Sequence, residues 1–183
     1  DLERLVDRAP GLVIVDEAYV DFGGTSLAKL ATGRGNVIVT RTFSKAWGLA
    51  GLRLGFGIGS AALLGEVEKA RGPYKVNAVA ERAATAAVRN DREWLAGIVA
   101  ETIAMRASVT ERLEALGYQV FRSDANFIGV KVAEARKVAD FLAERDIGVR
   151  AFPKAPVLGD LLRVTIGPES MMTPFLDAMK AAR

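Results

Sequence analysis

Two short runs, Leu12–Val15 (LVIV) and Asn36–Thr40 (NVIVT), constrain this chain more than any other feature of it. Neither alternates apolar with polar residues. Each therefore reads as a strand covered on both faces, the habit of parallel sheets. Parallel neighbours need a crossover, and residues 16–35 hold Gly23, Gly24 and Gly33 with room for a short helix between them. A third strand is expected at Arg53–Gly57, after the turn-rich GLAG. Ser60 is placed to cap a helix over Ala61–Arg71. These are the parts of an α/β layer architecture.

The character changes at Gly72-Pro73, which ends that helix. Ala, Val, Ile and Leu recur at helical spacing over Ala78–Arg89 and Glu93–Leu116, with a break at Asn90-Asp91 and a stop at Gly117. Strands are expected at Tyr118–Phe121, Phe127–Val132 and Leu161–Ile166. Helices are expected over Glu134–Arg145 and from Pro168 to the end. Arg150 closes the stretch Ile147–Arg150 and is followed by what reads as a Pro-rich loop. The second part is thus α+β, beginning after about residue 90. No internal repeat or low-complexity segment is present.

The chain has 183 residues, half of them apolar, which suits one domain or two small ones with a real core. No 18 apolar residues run together, so no membrane-spanning helix is expected. No signal peptide is visible, and a cytoplasmic location follows as the expectation. The first residue is not Met, which suggests a trimmed chain or a fragment. The net charge of +3 is spread among acidic residues without a basic run, so no nucleic-acid partner is expected.

Two zeros remove whole classes of chemistry. Without Cys the chain offers no disulfide, thiolate nucleophile or zinc finger. Without His it offers no Ser-His-Asp triad and no imidazole metal ligand, and no metal site is expected. Proton transfer falls to carboxylate, Lys or Tyr, or to a cofactor that carries the hard step.

Three features fall at strand ends, where open α/β sheets place their ligands. Asp16-Glu17-Ala18-Tyr19 follows LVIV directly. Thr42-Phe43-Ser44-Lys45 follows NVIVT. Arg53 lies eight residues past Lys45. A Lys among Ser, Thr and Phe in a Gly-rich loop is suited to partial desolvation, which frees an amine for a Schiff base. An Asp at a neighbouring strand end can hold a heterocyclic nitrogen protonated, and a Tyr beside it can donate to a ring oxygen. Ser44 and Arg53 can hold a phosphate.

DEAYVDF followed by RTFSKAWGLAGLRLGFGIG closely resembles the fold-type I pyridoxal-phosphate aminotransferases, and among them most the histidinol-phosphate aminotransferases. The likeness extends through GPYKVN (72–77), IGVRAFP (147–153) and LLRVTIG (161–167), and so over nearly the whole chain. It implies an α/β fold: part of the large mixed-sheet domain of the pyridoxal 5'-phosphate transferases over residues 1–90, then a small α+β C-terminal domain over 91–183. It implies Lys45 as the Schiff-base and proton-shuttling residue, Asp16 at the pyridine nitrogen and Tyr19 at the ring oxygen. Ser44 and Arg53 would contact the cofactor phosphate. Arg163 would bind the substrate α-carboxylate and Arg150 the substrate phosphate. Asn77 falls near the active site in relatives, without an assigned role.

The reaction implied is transamination between histidinol phosphate and 2-oxoglutarate, by a homodimer. Aminotransferases of aromatic amino acids and threonine-phosphate-type decarboxylases share these motifs. Family members are much longer and carry a further N-terminal half with the remaining cofactor contacts. The resemblance therefore implies a C-terminal half, and an inactive folded piece stands beside the enzyme as an alternative. Gly57-Ile58-Gly59-Ser60-Ala61-Ala62 also fits a dinucleotide-binding fingerprint, but no acid ends a following strand about twenty residues on. These glycines are read as a tight strand-to-helix turn. Trp47 and Trp94 are read as packing residues.

Overall fold

A computed structural model describes residues 2–182. The two β-branched runs form β1 (Val13–Asp16) and β2 (Val37–Thr42), which pair in parallel with Val15 opposite Val39 and Asp16 opposite Thr40. Helix α1 (Leu2–Arg8) precedes them, and α2 (Ala28–Gly33) is the crossover between them. Val6, Leu27, Ala31, Val37 and Val39 are buried together, with Val13, Val15, Leu30 and Ile58 packed on them. Full burial of a Val or Leu side chain contributes about 1.5–3 kcal/mol. No sequence signal announced α1, which buries only Val6.

The third strand, β3 (Gly55–Ile58), runs antiparallel to β2 and completes a three-stranded mixed sheet in the order β1-β2-β3. It starts two residues later than expected. Arg53 lies before it in a left-handed turn with φ 52°, so the Arg ends a turn and is not part of the strand. Helix α3 (Ala61–Ala70) follows, with the Ser60 hydroxyl accepting from the Leu63 amide at 3.3 Å. Helix α4 (Ala78–Asn90) is capped by Asn77, which accepts from the Ala80 amide at 2.8 Å. It buries the small stripe Ala80, Ala84 and Ala87.

Helix α5 (Arg92–Ala115) is continuous, and the chain divides into two compact units between Ala96 and Gly97, within it. The helix stops where Gly117 adopts φ 83° and Tyr118 donates back to the Leu113 carbonyl at 3.0 Å. A left-handed residue without a Cβ is what this stop requires.

The second unit is an antiparallel sheet of four strands in the order β4-β5-β7-β6: β4 (Val120–Phe121), β5 (Phe127–Lys131), β6 (Arg150–Ala155) and β7 (Gly159–Thr165). Helices α6 (Ala135–Ala143) and α7 (Glu169–Ala181) supply its core with the end of α5. Leu113, Leu142, Phe175 and Met179 pack there on Ile128, Val130, Leu162 and Val164. By the alternation of strand side chains, Phe121, Phe127, Phe152, Arg150 and Arg163 occupy the other face.

β6 corrects the expected Pro-rich loop after Arg150. Arg150 begins a strand that runs on through Pro153. Proline is tolerated because β6 is the edge of its sheet, where a missing N–H breaks no ladder bond, and the pairing with β7 shifts register between Phe152 and Ala155.

Candidate active site

In the first unit, parallel pairing brings the carboxyl ends of β1 and β2 side by side. Asp16 is the last residue of β1 and is exposed, because strand alternation turns it away from the face that buries Val13 and Val15. Its Oδ1 accepts from the Ala18 amide at 3.0 Å, which leaves the second oxygen to a ligand. This turn directs the chain so that Tyr19 comes under Lys45, whose Nζ lies 5.1 Å from the centre of the phenol ring. The ring face attracts the ammonium and holds the long side chain in one direction.

The Lys45 loop is fixed from both sides. Phe43 and Ala46 are buried, so the intervening Ser44 and Lys45 are held at the surface of the unit. The Thr42 hydroxyl accepts from the Ser44 amide at 3.0 Å. Phe43 donates to Leu54 O at 3.1 Å and Gly48 to Lys45 O at 3.0 Å. Trp47 packs its ring 5.7 Å from that of Phe43, which in turn lies 5.6 Å from Phe56. Trp94 is half exposed, with its ring edge near Gly48. Among the described residues no carboxylate lies within ion-pair reach of Lys45.

Arg53 is exposed, and one guanidinium nitrogen donates to Ala50 O at 3.0 Å. No hydrogen bond joins it to Ser44, so the two expected phosphate contacts come from one loop region without touching. The dinucleotide fingerprint has a packing explanation. β3 runs antiparallel, the Ser60 hydroxyl caps α3, and Leu64 lies within 4 Å of the space a Cβ would take at Gly57 or Gly59.

In the second unit Arg150 and Arg163 are directly opposite on β6 and β7. Opposed residues put their Cβ atoms about 5 Å apart on one face. Each guanidinium rides on an aromatic ring: Arg163 lies 4.2 Å from the centre of Phe127, Arg150 5.1 Å from that of Phe152. As the sequence led one to expect, Leu162, Val164 and Ile166 point into the core and Arg163 away from it. Such a pair is a ready site for an anion.

Three residues of these arrangements escaped sequence reasoning. Glu17 is buried and bound to Arg41, described further below. Asp160, at the start of β7, accepts from Ala135 N at 2.8 Å and from Lys154 N at 2.9 Å. Those two backbone bonds, that to Ala135 first, hold its carboxyl below the ordinary carboxylate range. It thereby ties the edge strand bearing Arg150 to the start of α6. The one early signal for Glu17 was its place two residues past Val15, just beyond the end of β1. No metal-binding cluster occurs among the described residues, and none of their helices is long and apolar enough to cross a membrane.

Comparison with known proteins sets this geometry in context. The pattern of the family "Aminotransferase class I and II" matches residues 1–179. A histidinol-phosphate aminotransferase of Nostoc sp. is 38% identical over 98% of the chain, which spans 51% of that protein. The crystal structure of a histidinol-phosphate aminotransferase from Clostridium acetobutylicum superposes with a TM-score of 0.88 at 25% identity, over 99% of this chain and 56% of that one. That of Sinorhizobium meliloti, in complex with pyridoxal-5'-phosphate, gives 0.85 at 24% identity over 99% and 53%. The chain spans about half the length of the curated relatives it matches.

Proposed function

The chain belongs to the class I and II aminotransferase family, and on that premise we propose that it carries the lysine-bearing half of a pyridoxal 5'-phosphate site serving amino transfer from histidinol phosphate to 2-oxoglutarate. The observation that carries this reading is the Lys45 amine, held over the Tyr19 ring and beside the strand end that bears Asp16. The donor set fits the group: an amine without a carboxylate partner, a carboxylate with one oxygen open, a phenol, and, from one loop region, the Ser44 hydroxyl and the Arg53 guanidinium.

Pyridoxal phosphate supplies an aldehyde that condenses with amines and a ring that, when protonated, draws electrons from the bonds at Cα. Lys45 would hold the cofactor through its Nζ and, with that amine free, would take the proton from the substrate Cα and hand it back. Asp16 would keep the ring nitrogen protonated through its open oxygen. Tyr19 would donate from its hydroxyl to the ring oxygen, while its ring face steers the Lys45 ammonium. Ser44 and Arg53 would hold the phosphate, Arg53 by its remaining N–H groups.

The substrate assignment draws on the names of the relatives and on the arginine pair. Histidinol phosphate has one strongly anionic group, a phosphate monoester, and no carboxylate. Arg150 and Arg163 on one face suit a shared grip on that dianion, and on a carboxylate of the 2-oxo acid in the other half-reaction. This replaces the separate assignment of one arginine to each anionic group.

The test uses the protein at full length. Formation of glutamate from histidinol phosphate and 2-oxoglutarate, with borohydride trapping the cofactor on Lys45, is the expected result. Lys45→Ala should lose the trapped adduct and nearly all turnover, and Lys45→Arg should fail equally because guanidinium forms no imine. Release of carbon dioxide from a phosphorylated amino acid in place of amino transfer would make the protein a decarboxylase. Trapping at another lysine would end the assignment.

A further inference from the structure

Among the described residues Glu17 is the one buried charged group, at 6% exposure, and nothing in the chemistry above uses it. Its neighbour Asp16 faces out, so alternation turns Glu17 inward, onto the side that carries Val13 and Val15. The β1–β2 ladder continues one step beyond Asp16, with Glu17 N donating to Thr40 O at 2.9 Å. Glu17 is therefore level with Arg41, which shares the inward face of β2 with Val37 and Val39.

The carboxylate collects four hydrogen bonds from three residues in two segments. Arg41 donates from Nε at 3.1 Å and from Nη2 at 3.0 Å. The Ser26 hydroxyl donates at 2.9 Å and the Leu27 amide at 2.6 Å. Arg41 Nη2 also donates to Ser26 Oγ at 2.8 Å. β3 packs closely on β2 here: a Cβ at Gly55 would stand 2.7 Å from the Arg41 carbonyl oxygen, so only glycine admits this approach. Glu17 thus closes residues 18–26 into a loop whose two ends meet at its own carboxylate. Tyr19 lies in that loop, Asp16 immediately before it, and Lys45 four residues after Arg41.

A buried ion pair is a poor device for stability, because apolar residues of equal volume usually serve as well. Here it does what apolar residues could not: it fixes direction, by hydrogen bonds with defined geometry, at the junction of the two catalytic segments. We infer that Glu17 and Arg41 are positioning residues, which set the angle and distance at which Asp16 and Tyr19 are presented to Lys45 and its cofactor. The inference rests on the roles of Asp16, Tyr19 and Lys45 proposed above.

The test compares the full-length parent with Glu17→Gln, Arg41→Lys and Lys45→Ala. Three quantities are read: amide hydrogen exchange in the cofactor-free protein, the dissociation constant for pyridoxal phosphate, and the pH midpoint of the bound cofactor's visible absorbance. Glu17→Gln keeps the shape but loses the charge, and should speed exchange across residues 18–26 while leaving α6 and α7 at parent rates. It should also weaken cofactor binding about ten- to hundredfold, the range for lost hydrogen bonds to a charged group. The absorbance midpoint should move by about half a unit or more, because the groups around the cofactor shift with the loop. Arg41→Lys, which keeps the charge but not the two-pronged contact, should give the same pattern more weakly, and it decides the matter should Glu17→Gln fail to fold. Faster exchange with parent affinity and midpoint would reduce the pair to a structural clip and overturn the inference. If Lys45→Ala kept the parent absorbance, the reading of the site and this inference would fall together. If Lys45→Ala lost it and both other variants kept the parent values, only the positioning role would fall.

Discussion

Arg150 and Arg163 stand directly opposite each other on adjacent antiparallel strands, each guanidinium laid over its own phenylalanine ring. Like charges in direct register repel, so the arrangement favours an anion that bridges them. Replacing either arginine by Ala should lower kcat/KM for histidinol phosphate about ten- to hundredfold, the range for a hydrogen bond to a charged group. The double replacement should cost less than the product of the single losses, with a coupling of about 0.5 kcal/mol or more. Strictly multiplicative losses in steady-state kinetics would indicate two separate anion subsites.

Asp16 holds one oxygen on the Ala18 amide and offers the other outward. Asp16→Asn should keep that turn and still bind pyridoxal phosphate. It should stop hydrogen exchange at the substrate Cα, since an amide cannot hold the ring nitrogen protonated. The loss should be several kcal/mol of barrier, about the size of a major electrostatic contribution to catalysis. Parent exchange rates in deuterated water would reduce Asp16 to a turn residue.

The second unit should be sensitive to acid through two carboxylates. Asp160 is held below its ordinary range by the amides of Ala135 and Lys154. Glu169 is held down by the Thr173 hydroxyl and then by Arg112. A carboxyl depressed in the folded state adds stability that is fully present above its unfolded value. That stability is lost as pH falls through the folded value. The thermal midpoint should therefore drop as pH falls below about 4. Asp160→Asn should lower the midpoint at pH 7 and flatten that acid slope; an unchanged slope in the variant would remove Asp160 from the account.

The turn between β6 and β7 carries Val157 fully exposed with φ 69°, a backbone that β-branched residues adopt only under strain. Val157→Asn should stabilise the protein by about 1 kcal/mol, because Asn accepts the left-handed conformation and no packing is lost. Equilibrium unfolding in urea measures it. A destabilised variant would show that the exposed Val has contacts that matter.

Much of the proposed site could be read locally. Asp16, Tyr19, Ser44, Lys45 and Arg53 lie in two short segments beside β-branched runs, and their order along the chain is enough to read them together. The positions of β1, β2, β5 and β7 and the caps Ser60 and Gly117 were equally visible, since each depends on the residue itself and a few neighbours. The expectation that β1 is covered on both faces was not met, because Ile14 stands 63% exposed on the face opposite Val13 and Val15. Alternation along Leu161–Ile166 even gave the outward direction of Arg163.

What the tertiary structure alone decided is pairing across distance. Arg41 meets Glu17 across 24 positions because β1 and β2 align in one parallel register, and a slip of one strand by a single residue would put the two side chains on opposite faces. Pro153 lies in a strand because β6 is an edge, a property of strand order that no window of sequence contains. Arg150 faces Arg163 because the β6–β7 turn fixes which residues are opposed, where local reading placed Arg150 before a loop. Propensity and periodicity act over a few residues, whereas register is set by the fit of whole strands and the helices that cover them.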